Sequence, residues 1–167
     1  MPVAGFKFRK SSRLVAGLAV AASAALGIGL GGGAADAAPQ AKPLPYYSGT
    51  GNNFGTFGDH DACRGALNVG LTSPKRGVVR VKITSFGFTG DGAGWKRNPR
   101  CSVVLIIATF GHEEFMPVTF GPKRGETASK DIHTGSGVVP LSIAPHAKNT
   151  PIRVPVGYGF GSYVLVP

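Results

Sequence analysis

The amino-acid sequence predicts an all-β fold, a single β-sandwich of about seven or eight short antiparallel strands. Three observations predict it. Short alternations of apolar and polar residues recur along the chain, separated by Gly- and Pro-containing turn signals. Beyond residue 37 no stretch sustains a 3.6-residue apolar period with capping residues. The only two cysteines, Cys63 and Cys101, stand 38 positions apart and border two strong strand patterns.

Residues 1–37 read as a secretory signal peptide with a helical apolar centre. Lys7, Arg9, Lys10 and Arg13 open it, an Ala/Leu/Val/Gly run follows, and Ala35-Asp36-Ala37 supplies small residues for cleavage. Gly17, Gly27 and Gly29 interrupt the run, whereas a spanning helix wants about 20 apolar residues in succession. Cleavage after Ala37 leaves 130 of the 167 residues, enough for one domain with a real core and no transmembrane span. The expected location is secreted, either extracellular or in the cell envelope. Four of the 18 basic residues and one of the 8 acids lie in the leader, so 14 face 7 in the remainder. That excess favours anionic partners such as cell-wall polymer or lipid head groups.

The mature chain divides into a Pro/Gly-rich extended segment, 38–58, in which 46–58 reads as an irregular edge strand or a loop packed by its own rings, and the sandwich, 59–167. In the latter, 66–71 alternates and points Leu67, Val69 and Leu71 to one face. Pro74-Lys75-Arg76-Gly77 makes a hairpin turn, because Pro fixes its φ and Gly accepts the left-handed region. The return strand, 78–84, points Val79, Val81 and Ile83 inward, and it runs on through Gly87, a candidate bulge. Residues 89–100 form a loop containing the single Trp. Residues 101–110 are apolar on both faces and form a buried strand. Pro117 confines 115–120 to an edge or a bulge. Pro122-Lys123-Arg124-Gly125 repeats the earlier turn. Residues 126–133 are a polar edge strand or turn. Pro140 and Pro155 place 138–143 and 151–156 at edges. In 158–166, Tyr158, Phe160, Ser162, Val164 and Val166 share a face. The layering is immunoglobulin-like, but Trp95 stands only six positions before Cys101, so that family's topology is not implied.

Two cysteines in an exported chain pair most simply with each other. Closing the Cys63–Cys101 loop contributes roughly 3–4 kcal/mol in the chain-entropy picture. The expected ligand-binding residues are Trp95, Lys96, Arg97 and Arg100, where an indole and three cations fall within six positions above a tethered strand. Lys75 and Arg76, with Lys123 and Arg124, extend this into a basic rim if both turns reach the Trp95 end. The alternative reading has Trp95 capping the core and the cations simply solvated.

No catalytic residue, metal ligand or cofactor is assigned. Asp59-His60-Asp61 and His112-Glu113-Glu114 combine imidazole with carboxylate, but in no metal-binding spacing. Thr134-Gly135-Ser136-Gly137 lacks the first glycine of a nucleophile elbow. Gly49, Gly51 and Gly55 lack the strand–helix setting of a phosphate loop. The basic start, the Ala-rich run ending Ala35-Asp36-Ala37 and the two-cysteine, Gly/Pro-rich β domain together make the chain resemble small secreted two-cysteine β proteins of actinobacteria. The resemblance implies export and β architecture and adds no reaction. The sequence thus points first to a non-catalytic envelope or extracellular protein contacting anionic polymer or lipid rather than nucleic acid. A secreted hydrolase using His112, Glu113 and His60, and a module that pairs through an edge strand, are the alternatives.

Overall fold

A computed structural model describes residues 42–148 and 152–167. The signal-peptide reading of residues 1–37 lies outside them, as do residues 38–41 of the extended segment and Pro151.

Alternation at period two sets the strands. Among the described residues these are β1 (Lys42–Pro43), β2 (Tyr46–Ser48), β3 (Asn53–Phe57), β4 (Arg64–Ser73), β5 (Val78–Thr89), β6 (Cys101–Thr109), β7 (His112–Phe120), β8 (Thr127–His133), β9 (Gly137–His146) and β10 (Phe160–Val166). They form two five-stranded antiparallel sheets. One runs β1-β4-β5-β8 with β3 also on β4; the other runs β2-β10-β9-β6-β7. The inward rows meet in one hydrophobic cluster. Leu67, Val69, Leu71, Val79, Val81 and Ile83 come from the first sheet, and Val103, Leu105, Ile107, Leu141, Ile143 and Phe160 from the second. Each inward position read from β4 and β5 is buried.

Five features differ from the sequence expectation. Ten strands stand where seven or eight were expected. The extra ones come from the stretch read as an extended segment. There β1 pairs with the Ser73 end of β4, β2 crosses to pair with β10, and β3 returns to the Arg64 half of β4. Strands of two, three and five residues are too short for alternation to reveal. Residues 89–100 contain a turn of helix, α1 (Gly92–Arg97), closed by an Asn98 N–H bond to the Gly94 carbonyl.

The prolines also mislead. β9 lies between β10 and β6, not at an edge. Its pairing with β6 stops at Ser142, so Pro140 has a strand on one side only. Farther along, Pro145 faces Leu105 of β6, while its carbonyl accepts from Val156 on the other side. A residue's N–H and C=O point the same way in an extended strand, so the missing donor removes no β6 bond. Residues 152–156 make no strand, only a bridge between Pro155 and His146. Tyr158 breaks the row expected along 158–166, since the strand begins at Phe160 and Tyr158 is exposed. Gly87 does mark a bulge: Gly65 pairs with Phe88 and Leu67 with Ser85, leaving two β5 residues against one of β4.

Candidate functional site

The end of the fold where β5 leaves and β6 begins is built on the disulfide. Cys63 and Cys101 are bridged, with Cα atoms 5.9 Å apart, and both are fully buried. Residues 58–63 wrap tightly around the bridge, with the Gly58 N–H on the Cys63 carbonyl and the Cys63 N–H on the His60 carbonyl. Asp61 and Ala62 both take φ of +49°. Left-handed backbone is costly for alanine and persists only where surroundings over-determine it. The bridge and the Asp91 N–H bond to the Asp61 carbonyl do that here.

Asp59 and His60 join this loop to its neighbours. Asp59 Oδ1 accepts the Ser102 N–H at 2.9 Å, capping the start of β6, and lies 2.9 Å from His60 Nδ1. His60 Nε2 faces the Asn98 carbonyl at 3.3 Å, just past α1. Carboxylate and carbonyl are both acceptors, so satisfying both requires a proton on each ring nitrogen, which is the imidazolium. The Asp59 hydrogen bond accordingly raises the His60 pKa, outweighing a smaller desolvation effect, with the Asn98 carbonyl adding to it. Burial works to raise the Asp59 pKa, but the Ser102 N–H and His60 overcome it and hold Asp59 below the ordinary carboxylate value.

The predicted ligand-binding residues fall into three groups. Trp95 is half-buried, packs against the core cluster and lies 6.2 Å from the His60 ring, so it caps this end of the core. Lys96 and Arg97 are exposed in the last turn of α1, with no partner among the described residues. Arg100 is tied down, donating to Glu126 Oε2 and to the Thr119 carbonyl, both at 3.2 Å. Arg97, Arg100, His60, Asp59, Asn98 and Thr119 line a recess of about 450 Å³.

Lys75 and Arg76 are elsewhere. Their turn joins β4 to β5 at the far end of a 12-residue strand, about 40 Å from the Thr89 end at ~3.4 Å per residue. There they border a separate recess of about 670 Å³ with Lys42 and Leu165. The second Pro-Lys-Arg-Gly turn does reach the α1 end, since the Gly125 N–H bonds the Ser85 carbonyl and the Phe88 N–H the Gly121 carbonyl. Lys123 and Arg124, both exposed and without a partner among the described residues, therefore lie at the same end as Lys96 and Arg97, whereas Lys75 and Arg76 do not. The two turns are alike in sequence; only strand direction separates them.

The pieces of the hydrolase alternative are not assembled. His60 stands beside Asp59, which caps Ser102 at the start of β6, while His112 pairs with Thr109 at its other end. Glu113 is held by Arg153, and Glu114 by Lys130 and His112. Asp59, His60 and Cys63 lie close enough to share an ion, but the Cys63 sulfur is already spent in the disulfide. For the edge-strand alternative, Lys130 of β8 donates to the Phe115 carbonyl of β7 at 2.7 Å, so these two edges are partly closed on each other.

No protein-family model, curated protein or solved structure matches the chain. No helix among the described residues is long and apolar enough to cross a membrane.

Proposed function

We propose that this is a secreted, non-catalytic binding protein of the cell envelope or extracellular space, a β-sandwich with immunoglobulin-like layering released by cleavage of residues 1–37. Its ligand is an anionic cell-wall polymer or a membrane of anionic head groups. One observation carries the reading. Lys96, Arg97, Lys123 and Arg124, with no partner among the described residues, lie at the end where a loop is fixed by the Cys63–Cys101 bridge and the Asp59–His60 contacts. A held base lowers the ordering cost of binding, and clustered cations recruit polyanions.

Cosedimentation tests it, with purified anionic cell-wall polymer on an insoluble support and with vesicles containing phosphatidylglycerol. Wild-type protein binds at low ionic strength and releases above about 0.1 M salt, where surface charges more than ~10 Å apart are screened. The Arg97→Glu, Lys123→Glu variant loses binding, while Lys75→Glu, Arg76→Glu retains it. Equal loss in both double variants would mean that overall charge, not this end, does the binding.

A further inference from the structure

The outer face of the second sheet carries two rows that run across its strands. Tyr47, Tyr163 and Pro140 stand in register on β2, β10 and β9. Two positions along lie Gly161, Ser142 and Ala108 on β10, β9 and β6. The first row is tall and the second has almost no side chain, so the sheet itself floors a trough. Phe110, in the β6–β7 turn, closes the other wall. The volume is about 550 Å³, inside the ~300–1,000 Å³ typical of ligand sites. Three strands at ~4.8 Å spacing make the floor roughly 10–15 Å long.

Three details say what the trough takes. Tyr47, Tyr163 and Phe110 leave 75 %, 61 % and 78 % of their surface in water, so most of each side chain faces solvent rather than the core. No charged residue lines the trough, although 26 of the chain's 167 residues are Lys, Arg, Asp or Glu. Its side-chain polar groups are hydroxyls, and those of Ser142, Tyr47 and Tyr163 have no hydrogen-bond partner among the described residues. The floor is also not dictated by the backbone. A Cβ on Gly161 would meet nothing within 4 Å and its φ is ordinary, so folding does not require glycine there. Glycine weakens a strand interior, yet here it keeps the trough open.

We propose that the trough binds an uncharged polysaccharide, with sugar rings lying flat on Tyr47 and Tyr163 and their hydroxyls meeting Ser142 and Thr50. Thr50 Oγ1 accepts the Gly161 N–H at 3.0 Å and keeps its own proton to donate. A pyranose presents an apolar C–H face and a rim of hydroxyls, which matches aromatic rings beside unpartnered hydroxyls. A polyanion finds no cation in the trough. An acyl chain would strand the Ser142 hydroxyl without a partner. This site is separate from the basic end and binds by different forces.

The test is affinity electrophoresis of the purified protein through gels containing neutral soluble polysaccharides: a β-1,4-glucan, a β-1,3-glucan, an α-1,4-glucan and a galactomannan. The expected result is retardation in at least one gel, unchanged by added salt. Tyr163→Ala and Gly161→Trp each weaken it at least tenfold, while Phe57→Ala on the other sheet does not. Gly161→Trp fills the trough where the backbone has room, and circular dichroism establishes that each variant is folded. Migration unaffected by every polysaccharide overturns the proposal. So does retardation that survives both trough variants. Binding of oligoproline or phosphatidylcholine vesicles at the same residues, without any polysaccharide binding, overturns it too.

Discussion

Gly58 lies directly against the Cys63–Cys101 bridge. A Cβ built on it would stand 2.6 Å from Cys63 Sγ and overlap Cys101 Sγ. The glycine is required by that close approach, not by its backbone angle. Gly58→Ala should destabilise the protein by about 1–3 kcal/mol, the cost of overpacking a well-filled site. Urea denaturation measures it. In a Cys63→Ala, Cys101→Ala background the penalty should shrink, because the obstructing sulfurs are gone. The same penalty in both backgrounds would mean that the clash is not with the bridge.

The bridge closes a loop of 38 positions and holds both the cap on β6 and the 58–63 loop. Cys63→Ala, Cys101→Ala should lose roughly 3–4 kcal/mol if constraint of the unfolded chain dominates. A small domain has about 5–15 kcal/mol in total, so the variant should remain folded but melt clearly lower. Calorimetry of the pair, with and without reductant, checks this. A wild-type melting temperature that reductant leaves unchanged, once free thiols confirm that the bridge has been opened, would contradict it.

The sequence was legible where one physical rule acts alone. The alternation of β4 and β5 named their buried faces, and two lone cysteines named the bridge. It was illegible where long-range geometry decides. Pro140 is tolerated in a central strand because the pairing with β6 stops two residues away at Ser142, a matter of register. β1 to β3 form because β4 and β10 offer edges to short segments with little pattern of their own. At the site, Lys75-Arg76 and Lys123-Arg124 are identical in sequence, and only the path of β5 sends them to opposite ends. His60 was visible as an ionisable residue, but not the carbonyl of Asn98, 38 positions away, that requires its second proton.

His60 gives a pH prediction with a definite sign. Its ordinary pKa of 6.5 is raised in the folded protein. A raised folded-state value means that the stabilisation is fully present below pH 6.5 and is lost as pH rises through the folded pKa, above 6.5. Asp59, held below 3.8, contributes in the opposite direction: its stabilisation is present above 3.8 and disappears as pH falls through the lowered value. NMR titration of the imidazole should show a midpoint above 6.5, and Asp59→Asn should bring it down. Thermal stability should decline from pH 6 to 8 in the wild type and less so in His60→Ala. A His60 midpoint at or below 6.5 would contradict the imidazolium arrangement.

Arg97 and Arg100 differ by three positions and should differ in kind. Arg100 spans from the start of β6 to Glu126 and the Thr119 carbonyl, so it fastens the chain after α1 to β7 and the turn beyond it. Its side chain is about half exposed, which limits the Glu126 pair to at most about 1 kcal/mol. Arg97 has no hydrogen-bond or ion-pair partner among the described residues. Arg97→Gln should therefore leave the urea midpoint unchanged and weaken binding to anionic polymer. Arg100→Gln should lower the midpoint slightly and change binding only through the tilt of α1. Measuring both quantities on both variants separates the roles. A variant pair that loses binding equally at unchanged stability would make Arg100 a ligand contact after all, and would shift the binding surface from the outer turn of α1 into the recess between His60 and Thr119.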